Sequence, residues 1–320
     1  MQRHRVAIIG LGVMGRRMLA NMAAHPRFAF SGVWDPDPAA GRKVADEFPD
    51  IPVAPGPEAL IASSDTDLVY VACPPAWHKG YVLAAAAAGK PVFCEKPLGI
   101  DVAESRALVA ELTQRGTRCI VNFIQSTSHA VELTRQRLDS GDMGAIAGGD
   151  IVVHFSKWPR DWQADADWLR FRAQGGFSRE VLSHFVFLAG RFLGSPRLIA
   201  ARPRYQADPT LSETHQQAML DCAGVPVAVF GSTGGAGPDR VEFTLWGTKR
   251  SHRLHDWFWL QSSDGGEWVK ELADIEDLRA ANFRRLLDDV AAFADGKTHV
   301  LPTAADALAV QELIEAMLRA

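Results

Sequence analysis

Two hydrophobic rhythms divide the chain. Up to residue 123, short apolar runs at Arg5–Ile9, Phe28–Trp34, Leu68–Ala72, Val92–Cys94 and Cys119–Phe123 alternate with longer stretches at Met14–Ala24, Ala39–Phe48, Gly80–Ala88 and Val102–Arg115. The short runs read as strands, and their nearly continuous apolar character suits a parallel sheet covered on both faces. The intervening stretches read as helices, so right-handed crossovers and a doubly wound, Rossmann-type α/β domain are expected over residues 1–123.

Beyond Phe123 the rhythm changes. A helix is expected at Val131–Asp139, a strand at Ile146–Phe155 and a helix at Phe177–Phe192. Strand-like runs then follow at Arg197–Gln206, Gln217–Cys222, Val225–Gly231, Val241–Trp246 and Trp257–Gln261, parted by glycine-rich breaks such as Gly234–Pro238 and Asp264–Gly266. Strands that succeed one another without crossover helices pair as hairpins, which predicts an α+β second domain with a mostly antiparallel open sheet over 124–320. Helices at Ile275–Ala294 and Ala304–Leu318 close the chain.

The 320 residues are enough for about two domains. A 47% hydrophobic and 22% charged composition is that of a folded globular chain and excludes a disordered one. The net charge of −4 is spread without a Lys/Arg block, which argues against nucleic acid or an anionic membrane surface as a partner. No signal-peptide core or membrane-length apolar stretch is present, so a cytoplasmic protein is expected. The four cysteines (Cys73, Cys94, Cys119 and Cys222) form no C-x-x-C pair, and no metal site is expected.

Candidate chemistry begins at the first strand–helix junction. Gly10-Leu-Gly12-Val13-Met14-Gly15 follows a strand and opens a helix. Gly10 permits the tight turn, Gly12 lets a pyrophosphate approach the backbone, and Gly15 allows close helix–strand packing, with the helix N-terminus offering amides to phosphate. Asp35 ends the second strand, twenty residues beyond Gly15, where a carboxylate accepts ribose hydroxyls and repels a 2′-phosphate. NAD is therefore the expected cofactor, with NADP left open by Arg16 and Arg17. Asp37 is the better helix cap of the two acids. Farther on, Glu95-Lys96-Pro97 stands at the end of the fourth strand, facing the ligand side of such a sheet, and a cis Lys96–Pro97 bond is expected to make that reversal.

With Gly10–Gly15, Cys73-Pro-Pro-Ala-Trp-His78 and Gly89-Lys-Pro-Val-Phe-Cys-Glu95-Lys96-Pro97 in this order, the chain resembles the Gfo/Idh/MocA oxidoreductases. Gly175-Gly-Phe-Ser-Arg-Glu180-Val-Leu-Ser-His184 extends the resemblance into the second domain. The resemblance implies that Lys96 and His184 flank the substrate carbon beside the nicotinamide, with Glu180 in place of a frequent aspartate. It also puts Cys73, Pro74, His78, Glu95 and Lys96 near the cofactor, and implies a homo-oligomer (dimer or tetramer) acting on a small sugar, polyol or sugar-derived substrate. On a continuous helix, Glu180 and His184 share a face, and the carboxylate raises the basicity of the imidazole. His78 reads equally as a structural residue at a helix start.

The chain departs from the family pattern at Leu182 (often glycine), Phe187 (often aspartate) and Gln125 (commonly arginine). Trp158, Trp162 and Arg170 suit sugar stacking and substrate hydroxyls or carboxylates, and suit a subunit interface or a core edge equally well. The alternative to an enzyme is a non-catalytic dinucleotide-binding regulator of the same fold.

Overall fold

The structure is a computed structural model that describes residues 3–320. Its first elements are β1 (His4–Ile9), α1 (Val13–Ala23), β2 (Phe28–Trp34), α2 (Pro38–Glu47), α3 (Pro57–Ala62), β3 (Leu68–Val71), α4 (His78–Ala87), β4 (Val92–Glu95), α5 (Val102–Arg115) and β5 (Cys119–Asn122). There follow α6 (His129–Asp139), β6 (Ile146–Phe155), α7 (Ser183–Leu193), β7 (Pro196–Tyr205), β8 (Glu213–Cys222), β9 (Val225–Thr233) and β10 (Arg240–Gly247). The chain closes with β11 (Ser251–His255), β12 (Trp259–Ser263), β13 (Val269–Lys270), α8 (Leu278–Ala294) and α9 (Ala304–Arg319).

The chain forms two compact units. The first joins the residues up to Phe123 with a returning segment, Phe283–Leu308. Its five strands are all parallel, in the order β2-β1-β3-β4-β5. Every residue of β3, β4 and β5 is buried, as expected for strands covered on both faces. Asp37 caps α2 by accepting from the Ala39 amide at 2.9 Å.

The returning segment differs from the uninterrupted second domain expected over 124–320. Leu286, Leu287, Val290 and Phe293 of α8 are buried. Arg27 donates to Asp295 at 2.9 and 3.0 Å. The Val121 amide donates to the Pro302 carbonyl at 2.9 Å, which occupies the edge of β5. An amphipathic helix carries no mark of which sheet it will cover, so this return is invisible in the periodicity.

The second unit comprises Ile124–Asn282 with Ala309–Ala320. Its eight strands run β13-β12-β11-β10-β6-β9-β8-β7, with β6 and β9 parallel and the other pairs antiparallel. Seven consecutive residues of α7, Ser183–Ala189, are buried, and Phe185 meets Phe243 of β10 at 6.4 Å between ring centroids. Elsewhere on the sheet Ile199, Met219, Phe230 and Trp246 are exposed. Three short elements, α3, β11 and β13, were not expected. In β11 the buried positions are His252 and Leu254, so polar residues hide its alternation.

Arg179 locks this unit's C-terminus to the segment before α7. Its guanidinium donates to both carboxylate oxygens of Glu315 and to the carbonyls of Arg172 and Gly175, each of these at 2.7 Å. Both partners are largely buried, with side-chain exposures of 13% and 9%. Removing one partner of such a pair strands a charge, so Glu315→Ala is expected to cost about 3–5 kcal/mol of stability. Denaturant unfolding measures it, and a loss under about 1 kcal/mol would contradict this role.

Among the described residues, no helix is long and apolar enough to cross a membrane. No group of three or more His, Cys, Asp and Glu among them could hold a metal ion.

Candidate active site

In the first unit the candidate residues gather at the carboxyl ends of the strands. The sheet order changes direction at β1 and β3, and ligands of doubly wound sheets bind at such a switch point. Gly10 leaves β1 with φ of 99°, and a Cβ there would stand 2.6 Å from the Ala72 and Cys73 backbone beyond β3. A Cβ on Gly15 would stand 2.0 Å from the Gly10 carbonyl oxygen. These two glycines are required by packing. Gly12 is not: its φ and ψ, −65° and −166°, suit any residue, and a Cβ there would meet nothing within 4 Å.

Gly12 caps α1 without a side-chain hydrogen bond, and no acidic side chain stands in the helix's first turn. The amide end of α1, with Val13 and Met14, is left to an external anion. Asp35 braces the loop: its carboxylate accepts from the Leu11 amide at 2.7 Å and from the Asp37 amide at 2.8 Å. Each of its oxygens retains a further lone pair that a ribose hydroxyl can use. The loop therefore fits a dinucleotide.

The loops after β3 and β4 are tied together. His78 is fully buried, with Nε2 2.8 Å from the Cys73 carbonyl oxygen and Nδ1 2.9 Å from that of Pro97. Burial holds its pKa below the usual imidazole range, and a neutral ring can donate to only one of these carbonyls. His78 thus braces the turn that carries Lys96. Burial pushes the Cys73 thiol up to about 12, so it is no nucleophile, and Pro74 shapes the same turn.

Glu95 is buried and accepts from the Tyr70 hydroxyl at 2.5 Å and from Asn122 Nδ2 at 2.7 Å. It anchors the end of β4 from both neighbouring strands. Burial, and then the Glu95 charge, push the Tyr70 phenol well above its ordinary pKa. The next residue, Lys96, is half-buried, and the Lys96–Pro97 peptide is cis. Tyr70 and Asn122 were not singled out from sequence, since both sit within apolar strand runs.

In the second unit Ser178–Leu182 forms a π-helical turn that runs directly into α7 at Ser183. The expected helix is therefore present and unbroken, wound wider over its first turn, and Glu180 and His184, four residues apart, keep to one face of it. A π-turn closes bonds five residues apart, and such turns recur at functional sites. Glu180 accepts from Gln163 Nε2 at 3.3 Å, while Gln163 Oε1 accepts from Arg160 Nε at 3.0 Å. The Arg160 guanidinium sits within 4.6–5.7 Å of the rings of Phe155, Trp158, Trp162 and Trp257. The His184 ring, only 5% exposed, stands edge-to-face with Trp257. Gln125, at 1% exposure, donates to the Trp257 carbonyl at 2.7 Å.

Glu180, His184, Gln125, Trp158 and Trp162 thus belong to one connected cluster, through Gln163, Arg160 and Trp257. Trp158 is its structural wall: the indole donates to the Leu169 carbonyl at 3.0 Å and packs on Phe155 and Phe177. Arg170 is engaged elsewhere, paired with Asp167 at 2.8 Å and lying over Phe171. Gln163 and Trp257 escaped the sequence reading. Trp257, expected to open a strand, lies in the turn before β12.

The chain thus has a Rossmann-type unit, a parallel sheet with a glycine-lined helix N-terminus at its switch point, followed by an α+β unit with a His–Glu cluster. Residues 4–123 match the family model GFO_IDH_MocA, the oxidoreductase family with an NAD-binding Rossmann fold. Among curated relatives, the inositol 2-dehydrogenase of Acidothermus cellulolyticus is 37% identical over 142 residues, 44% of this chain and 42% of that protein. That alignment spans less than half the length of either protein.

Solved structures match the fold over nearly the whole chain. An oxidoreductase from Agrobacterium radiobacter, in complex with NAD+, L-tartaric acid and magnesium, superposes with a TM-score of 0.83 at 19% identity, covering 98% of this chain and 95% of that one. The WlbA dehydrogenase from Bordetella pertussis, in complex with NADH and UDP-GlcNAcA, gives 0.82 at 19% identity, covering 99% and 95%.

Proposed function

We propose that the protein is an NAD-dependent oxidoreductase acting at a carbinol or carbonyl carbon of a sugar, polyol or sugar-derived substrate. The observation that carries this reading is Gly12, a glycine that neither backbone conformation nor packing requires, at an uncapped helix N-terminus. The approach of a pyrophosphate gives it a reason. The names of the relatives, inositol 2-dehydrogenase among them, support the substrate class.

When bound, the nicotinamide supplies the hydride donor or acceptor. The chain supplies the rest. Amides of the Gly10–Gly15 loop hold the pyrophosphate, and Asp35 accepts from the ribose hydroxyls. His184 takes up or returns the proton of the substrate hydroxyl, and Glu180 stands one turn before it on the same helix. Lys96 offers its positive charge to an oxygen on which negative charge develops.

The Asp35 carboxylate opposes a 2′-phosphate, so NAD is expected to bind more tightly than NADP, and Asp35→Ala to shrink the ratio by about tenfold or more. The variant also loses the brace on Leu11, so NAD itself binds less tightly. Isothermal titration of both cofactors tests this, and equal or reversed affinities in the unaltered protein reject the assignment.

A further inference from the structure

Asp256, Trp257 and Phe258 join β11 to β12. Asp256 and Trp257 adopt φ of 45° and 75°. Tight hairpins fill this left-handed region with Asn or Gly, and a bulky side chain rarely enters it. Such strain persists only where the surroundings enforce it, and it collects at ligand-contacting positions.

Here the enforcing groups are identifiable. The buried Gln125 amide holds the Trp257 carbonyl at 2.7 Å, and the Asp256 amide donates to the Val241 carbonyl at 2.9 Å. The indole so held stands 5.8 Å from the His184 ring at 87° and 6.2 Å from Phe185, with the Arg160 guanidinium carbon 5.5 Å from its centroid. Core packing does not account for it, because Trp257 keeps part of its surface exposed. The strained turn delivers a half-open indole to the imidazole.

We propose that Trp257 is a specificity-determining residue, a platform for the C–H face of a hydroxylated six-membered ring whose hydroxyl proton His184 exchanges. This rests on the function proposed above and narrows its substrate class. A ring polyol presents several C–H groups as one rigid flat patch, which an indole face covers at little entropic cost. An open-chain polyol must freeze several torsions to offer the same patch. The indole therefore selects rings over chains. Gln125 is a positioning residue that acts through the Trp257 carbonyl.

The test uses the full chain saturated with NAD and three probes: myo-inositol and D-glucose as rings, and D-sorbitol as an open chain. NADH formation gives kcat and KM for each. The unaltered protein is expected to prefer a ring. In Trp257→Ala the ring-to-chain ratio of kcat/KM is expected to fall about tenfold, mainly through a higher ring KM, and Trp257→Phe is expected to restore most of it. Gln125→Leu is expected to lower the ratio in the same sense.

Trp257→Gly separates function from folding. Glycine suits φ of 75°, so its thermal midpoint is expected to equal or exceed that of the unaltered protein while ring preference is lost. An unchanged ratio in an active Trp257→Ala protein overturns this role and leaves the proposed function standing. Loss of cooperative unfolding in Trp257→Gly marks the indole as structural and overturns it too. An unaltered protein that binds NAD yet oxidises no polyol overturns both readings together.

Discussion

Replacing His184 by alanine is expected to lower kcat by about 10²–10⁴-fold while NAD affinity stays unchanged. An imidazole nitrogen can accept or donate a proton, and His184 is the imidazole in the cluster of Glu180 and Trp257. Its setting is rigid: it opens α7 directly after the π-turn, in a run of seven buried residues. The residue before that turn's acid, Arg179, is clamped to Glu315 and to two carbonyls, which fixes the approach to Glu180 and His184. Removing the ring leaves this scaffold in place, so the loss should appear in kcat rather than in unfolding. Steady-state kinetics on any substrate the unaltered protein oxidises, with titration of NAD, measure both quantities. An unchanged kcat would make His184 a packing residue and move the proton-transfer role elsewhere.

The first unit was largely legible in the sequence because its signals are local. Buried parallel strands are continuous apolar runs, and β2 falls at Phe28–Trp34 as expected. Gly10 and Gly15 of the glycine loop are fixed by backbone conformation and packing, and Asp35 lies where the second strand ends. The parts that escaped depend on distant partners. Nothing in the amphipathic pattern of α8 says that residues from Phe283 onward return to the first unit. The strand β11 hides because its inward residue His252 is polar, satisfied by Thr134 at 2.9 Å, and burial drives its pKa down to about 4.

In the second unit the residue types were legible and their connections were not. Trp158, Trp162, Glu180 and His184 drew attention by chemistry, yet Gln163, which joins Arg160 to Glu180, looked like any surface amide. The wider π winding at Ser178–Leu182 has no local signature in the sequence, although the helix that carries Glu180 and His184 does. Trp257 eluded the reading because a left-handed φ at a tryptophan is enforced by tertiary contacts and contradicts local propensity. Such conflicts between local and global preference are expected at functional sites.

The glycine loop offers the sharpest separation of structural from ligand-imposed requirements. Gly15→Ala puts a methyl 2.0 Å from the Gly10 carbonyl oxygen, a backbone atom that cannot yield as a flexible side chain would. The start of α1 must then move away from β1, and an overpacking cost of about 1–3 kcal/mol is expected together with loss of NAD binding. Gly12→Ala places its methyl in open space on an ordinary backbone conformation, so unfolding is expected to be unchanged or slightly harder. The same methyl stands where a pyrophosphate must approach the amides. Losing one hydrogen bond to a charged group is worth about 1.5–3 kcal/mol, so NAD affinity is expected to fall roughly 10–100-fold. Thermal unfolding without cofactor and isothermal titration of NAD read the two effects separately. If Gly12→Ala bound NAD as tightly as the unaltered protein, the pyrophosphate would not lie over this loop, and the reading built on Gly12 would fall.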